Sequence, residues 1–166
     1  MKFIITILSI LFSISSFSET VEINGKTHSV NTRFKAISCG NFSIESVTKK
    51  LPDYLHHSQI PKSLSIGHKG INYIGYELTF RSKDKEVDIK PLKDHLSGYQ
   101  KLAKDRLYIS RPIKCIKPNS VLFSMWGGGN CSDVCEAFSV ISFDLNGIVT
   151  KARGLSVKEF NELKNN

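Results

Sequence analysis

After residue 14, no apolar run in the 166 residues comes near the roughly 20 needed for a helix to cross a bilayer. The chain also lacks the local patterns that carry catalysis. There is no Gly-x-Ser-x-Gly elbow and no His-Glu-x-x-His pair. The acidic residues are too scattered to nominate a glycosidase couple. Tetrahedral zinc would need a second Cys/His pair with spacing to match Cys131 and Cys135, and none is present; no nucleic-acid-binding motif is present either. Repeats, low-complexity stretches and obvious linkers are missing as well.

What is present begins at the N-terminus. Met1-Lys2 is positive, residues 3–14 are almost purely apolar, and Ser16-Phe17-Ser18 places small residues at the −3 and −1 positions of a cleavage site before Glu19. That order predicts a secretory signal peptide over 1–18. A mature chain of 148 residues (19–166) follows, long enough for one domain with a hydrophobic core. The expected location is outside the cytosol: periplasmic in a Gram-negative cell, otherwise extracellular. No membrane span is expected in the mature part.

Without Lys2 the chain carries 22 Lys and Arg against 15 Asp and Glu, a formal +7. Residues 81–117 hold 11 of those cations and 5 of the acids, so +6 of the surplus lies in the middle third. A concentrated basic segment favours an acidic partner. Export makes nucleic acid a poor candidate for that partner.

The four cysteines are Cys39, Cys115, Cys131 and Cys135. An even count behind a signal peptide reads as disulfides, with three possible pairings. Cys39–Cys115 with Cys131–Cys135 is favoured, because the second pair is close in sequence and beside flexible glycines. A Cys-x-x-x-Cys pair with a distant His handles copper in some exported thioredoxin-like proteins. Those place the cysteines at a strand-to-helix turn, whereas residues 137–143 here read as a strand. No metal or cofactor is expected.

The pattern of elements predicts an α+β domain. Its antiparallel sheet of hairpins and a meander is packed by one central and one C-terminal helix and stapled by disulfides. Asn24-Gly25 marks a type I′ hairpin. Thr32, Phe34 and Ala36 alternate with Arg33 and Lys35 as a half-buried strand. A short helix is expected from about Ser43, ended by Pro52. Residues 52–70 read as loop. In the strand over 72–80, Ile74, Tyr76, Leu78 and Phe80 share one face. A charged connector spans 81–90. The helix over 91–107 starts with Pro91 and carries a Leu92, Leu96, Tyr99, Leu102, Ala103, Leu107 stripe. Strands are expected over 121–126, 137–145 and 148–152. Ser156-Val157-Lys158-Glu159 is a capping box opening a terminal helix with Val157, Phe160 and Leu163 inward.

Two features are candidate contact sites. Trp126-Gly127-Gly128-Gly129-Asn130, followed by Cys131, Asp133 and Cys135, places an aromatic beside a glycine-rich loop that a disulfide would stiffen, a suitable binding tip. The alternative is a stapled connection with Trp126 in the core. The 91–107 helix exposes Lys93, Lys101, Lys104 and Arg106, with Lys114 and Lys117 following. This face would suit an acidic protein, and charge reversal at Lys101 and Lys104 is expected to weaken such binding.

His28, His56, His57, His68 and His95 form no coherent set, and neighbouring His56 and His57 point opposite ways on an extended chain. The leading expectation is a small exported, non-catalytic binding domain that occludes an envelope-targeting enzyme or toxin, as an inhibitor or immunity protein would. A hydrolase using His56 or His57 with a carboxylate is the second reading. A polyanion- or envelope-binding structural protein is the third.

Overall fold

Asn24 and Gly25 both have positive φ, 51° and 73°, the geometry of a type I′ turn. They join β1 (Thr20–Ile23) to β2 (Lys26–Ser29), as the dipeptide predicts. The computed structural model describes residues 19–66, 72–83, 85–89, 92, 109–126 and 136–166.

Eight further strands form two antiparallel sheets of four. The first runs in chain order through β3 (Asn31–Cys39), β4 (Phe42–Lys50), β5 (Tyr73–Ser82) and β6 (Lys85–Asp88). The second does the same through β7 (Ile109–Lys117), β8 (Ser120–Trp126), β9 (Glu136–Phe143) and β10 (Val149–Leu155). Both are meanders. Phe42, Ile44, Leu78 and Phe80 of the first sheet share a core with Val121, Phe123, Met125, Ala137, Ile141 and Phe143 of the second. The Cys39–Cys115 disulfide joins β3 to β7 with a Cα separation of 5.6 Å.

The second sheet has apolar residues on its other face too. Leu122, Phe138 and Leu155 pack there with Phe160 of α1 (Val157–Asn165). The Phe138 and Phe160 rings stack 4.0 Å apart. Among the described residues the fold is therefore built mostly of antiparallel strands, in two four-stranded sheets and a two-stranded hairpin rather than one sheet, with a single C-terminal helix. Of the central helix expected over 91–107, only Leu92 is described, and it is buried in the main core.

Four expectations are corrected. The stretch from Ser43 is strand β4, not helix. Phe42, Ile44, Ser46 and Thr48 are buried while their alternates are half-buried, and ladders to β3 and β5 on either side take its backbone groups. The charged connector contains edge strand β6, where Arg81 lies opposite Glu86 and pairs with it. Strand β7 had no counterpart in the reading. Its Pro112 lacks an N–H, which is tolerated because β7 is an edge strand. Finally, Val157 is 63% exposed and Phe34 equally so. Val157 occupies the first helical position, short of the turn that meets the sheet, and β3 is a sheet edge whose Asn31–Ala36 stretch faces solvent.

Strand β5 keeps its predicted alternation only in part. The register with β4 shifts between Lys49 and Lys50. A bulge of this kind re-aims side chains. Ile74 accordingly joins the small core of Ile23, Leu51, Leu55 and Ile60 under the β1–β2 hairpin. Leu78 and Phe80 enter the main core.

The local signals at the C-terminal end hold. Asp144 Oδ1 accepts from the backbone N–H groups of Ile148 and Asn146, at 2.9 and 2.8 Å. These donors hold its carboxyl below the usual range. The capping box is complete: Ser156 Oγ accepts from Glu159 N at 3.2 Å, and Glu159 Oε2 accepts from Ser156 N at 2.8 Å. The Ser156 N–H, helped by Arg153, lowers Glu159 to about 2. That folded-state value lies below the 4.5 of a free glutamate. The stabilisation is therefore complete above pH 4.5 and lost as pH falls towards 2. Ser156→Ala should cost about 1 kcal/mol, whereas Glu159→Gln, which removes the titrating group, should flatten this acid dependence, read as thermal midpoints between pH 6 and 2.5. An unchanged acid slope in Glu159→Gln would show that the box does not govern it.

Candidate functional site

Trp126 is the last residue of β8, opposite Ile109 of β7 and Glu136 of β9. Trp126 is half-buried rather than part of the main core. It meets Tyr73, the first residue of β5, edge-on at 5.2 Å between ring centroids. Tyr73 and Ile109 are buried there, with Ile66 and Tyr76 packed against them.

Cations complete the arrangement. The Arg111 guanidinium lies 5.4 Å from the Trp126 ring, and its Nη2 donates to the Tyr73 hydroxyl at 3.1 Å. Lys50 Nζ sits 5.7 Å from the Tyr73 ring and pairs with Asp53 at 2.5 Å. That pairing holds the Asp53 carboxyl below its usual range. Contacts of this kind contribute about 0.5–1 kcal/mol each at exposed sites. The Tyr76 hydroxyl donates to Ser110 O at 2.6 Å, which ties β5 to β7. Burial pushes that phenol well up.

From Arg111 the positive charge continues along the seam between edge strands β3 and β7. Lys35 of β3 has its ammonium pKa lowered, first by partial desolvation and then by the nearby charges of Arg111 and Lys164. Lys114 Nζ donates to the Lys164 backbone carbonyl at 3.4 Å. The ion pairs of the described residues engage Lys49, Lys50, Arg81 and Arg153. Lys35, Arg111, Lys114 and Lys164 take part in none of them. Four cations are thus held near one another on three elements without a carboxylate partner among the described residues. Like charges so placed repel, and an anionic surface docking there would relieve that repulsion.

Of the predicted site residues, the structure places Trp126 at this surface. Lys101, Lys104, Gly127, Gly128, Gly129, Asn130, Cys131, Asp133 and Cys135 lie outside the described residues. Cys39 and Cys115 are paired as favoured. The sequence reading missed Lys35, Arg111 and Lys164 as a group. Pro112 within an Ile/Lys-rich stretch was the one available hint of an edge strand there.

The histidines are dispersed. His28 is buried under the hairpin with Nδ1 3.2 Å from the Tyr54 hydroxyl. His56 is exposed, with Nδ1 2.7 Å from Ser58 Oγ. His57 opens a short 3₁₀ turn, and His68 and His95 are not among the described residues. No three His, Cys, Asp or Glu side chains are grouped to hold a metal ion among the described residues. No helix there is long and apolar enough to cross a membrane. Searches against protein-family models, characterised proteins and solved structures match nothing to this chain.

Proposed function

We propose that this chain is a small exported, non-catalytic binding protein that acts by occlusion. In a Gram-negative cell it would sit in the periplasm as an inhibitor of, or immunity protein against, an envelope-targeting enzyme or toxin. The observation that carries this reading is the seam. Lys35, Arg111, Lys114 and Lys164 lie together without carboxylate partners among the described residues, and Arg111 lies 5.4 Å from the ring of the half-buried Trp126. Arginine and tryptophan are the side chains on which interface energy concentrates. Lys35 and Arg111 stand on β3 and β7, the strands joined by the Cys39–Cys115 disulfide, so little ordering entropy is lost on docking. An acidic cleft would gain both charge complementarity and an aromatic contact. The disulfide supports an oxidising compartment.

The test begins with capture of a partner from envelope extract by the oxidised chain. Its affinity is then measured against Lys35→Glu/Lys164→Glu at two salt concentrations. Binding should weaken at least tenfold (about 1.4 kcal/mol), its salt dependence should shallow, and the partner's own activity should fall in proportion to the complex formed. Equal affinity and equal salt slope in the variant would remove the seam as the contact face. A captured partner whose activity is untouched would remove occlusion.

A further inference from the structure

A second cationic site lies on the face of the second sheet that carries α1. Register places Lys117 opposite Ser120, Ser120 opposite Ser142, and Ser142 opposite Lys151. Directly opposed residues on antiparallel strands share a face. The four therefore form one transverse row across β7, β8, β9 and β10. Two residues along, Lys114, Leu122, Val140 and Arg153 form the next row. A cavity of about 300 Å³ lies over these rows, bounded by Ile116 and by Leu163 of the helix.

The lining divides by chemistry. Ser120 is 5% exposed, and its hydroxyl lies 2.8 Å from that of Ser142. Only one of two touching hydroxyls donates within the pair. The remaining proton is in reach of Asn119 Oδ1, 3.3 Å from Ser120 Oγ, and can turn instead to a bound acceptor. Lys117 and Lys151 stand at the two ends of the row, about 14 Å apart across three strand spacings, with no ion pair among the described residues. Arg153 is held by Glu159 at 2.7 Å. Among the described residues no carboxylate lines the cavity, and its wall is Ile116, Val140 and Leu163.

We propose that this cavity binds a tetrahedral oxoanion ester, a phosphate or sulfate carried on a sugar-sized group. Cations approaching from opposite ends suit an anion whose oxygens point in several directions, and the serine pair supplies hydroxyl contacts between them. The apolar wall takes the carbon skeleton. The site does not rest on the occlusion reading; Lys114 of the β3–β7 seam stands in the neighbouring row but is not among the residues that line the cavity.

The test is a residue-resolved amide-shift titration of the isotope-labelled, oxidised chain. Probes are glucose 6-phosphate, glucose 6-sulfate, glucose and inorganic phosphate. Either ester should give saturable shifts centred on residues 116–120, 140–142 and 151–153. Glucose should give none, and inorganic phosphate should bind about tenfold more weakly. Lys151→Gln should weaken the better ester at least tenfold, as lost charge-assisted hydrogen bonds do, while Lys26→Gln in β2 should change nothing. Non-saturating shifts spread over the surface lysines would overturn the site. So would an affinity unchanged in both Lys151→Gln and Lys117→Gln. Inorganic phosphate binding as tightly as the esters would overturn the sugar-sized ligand.

Discussion

Replacing Cys39 and Cys115 together by alanine should lower the unfolding free energy by about 4 kcal/mol. The bridge spans 76 residues, and closing a loop of that length restricts the unfolded chain by about this amount in the chain-entropy model. The loss falls on a marginal total, since whole domains are stable by about 5–15 kcal/mol. Alanine is the right replacement, because Cys39 is 1% exposed and a serine hydroxyl there would add a burial cost of its own. Urea unfolding should show the midpoint lowered by about 2 M for a slope near 2 kcal/mol/M. A shift under about 0.5 M would mean that the unfolded chain is already constrained across this span. The same variant should weaken partner binding, because the bridge holds β3, with Lys35, against β7, with Arg111 and Lys114.

Phe80→Ala should be nearly as damaging, at about 3–5 kcal/mol. Phe80 is fully buried. It stacks on Phe42 at 4.8 Å and lies 5.9 Å from Phe143, so its removal opens a cavity in the core shared by both sheets. Its neighbour Gly147 offers a sharper check. A Cβ added at Gly147 would lie 3.0 Å from the Phe80 ring, and Gly147 sits at φ +79°. Gly147→Ala is therefore destabilising twice over, by contact with the ring and by left-handed backbone strain of about 1–2 kcal/mol. In a Phe80→Ala background the ring contacts disappear, while the approach to the Cβ that alanine keeps and the backbone strain remain. The two substitutions should thus cost less together than the sum of their separate effects, by more than about 0.5 kcal/mol. Additivity within that margin would show that the turn and the core do not communicate.

Features made by neighbours in the chain were legible from residue order. The Asn24-Gly25 turn, the Asp144–Gly147 turn and the Ser156–Glu159 box each depend on side chains within four positions of their backbone partners. Features that depend on which strands lie alongside were not. Around β4 the helical spacing of Ile44, Val47 and Leu51 coincides with the alternation of Phe42, Ile44 and Ser46. Only the ladders with β3 and β5 decide between the two periods. The bulge opposite Tyr73 is likewise a property of a strand pair, and it sends Ile74 and Leu78 into different cores.

The sites divide in the same way. Trp126 stood out because three glycines follow it. The cations beside it did not, since Lys35, Arg111 and Lys164 come from β3, β7 and the terminal helix. The row of Lys117, Ser120, Ser142 and Lys151 was equally hidden, because it exists only when four strands are in register. Residue order alone determined the turns, the cap, the charge surplus and the small set of disulfide pairings open to four cysteines. Tertiary structure decided which pairing closes β3 onto β7, which faces are buried, and where the cations gather. Composition and partners adjacent in the chain set the former, whereas burial and electrostatics act between residues that only the folded sheets bring together.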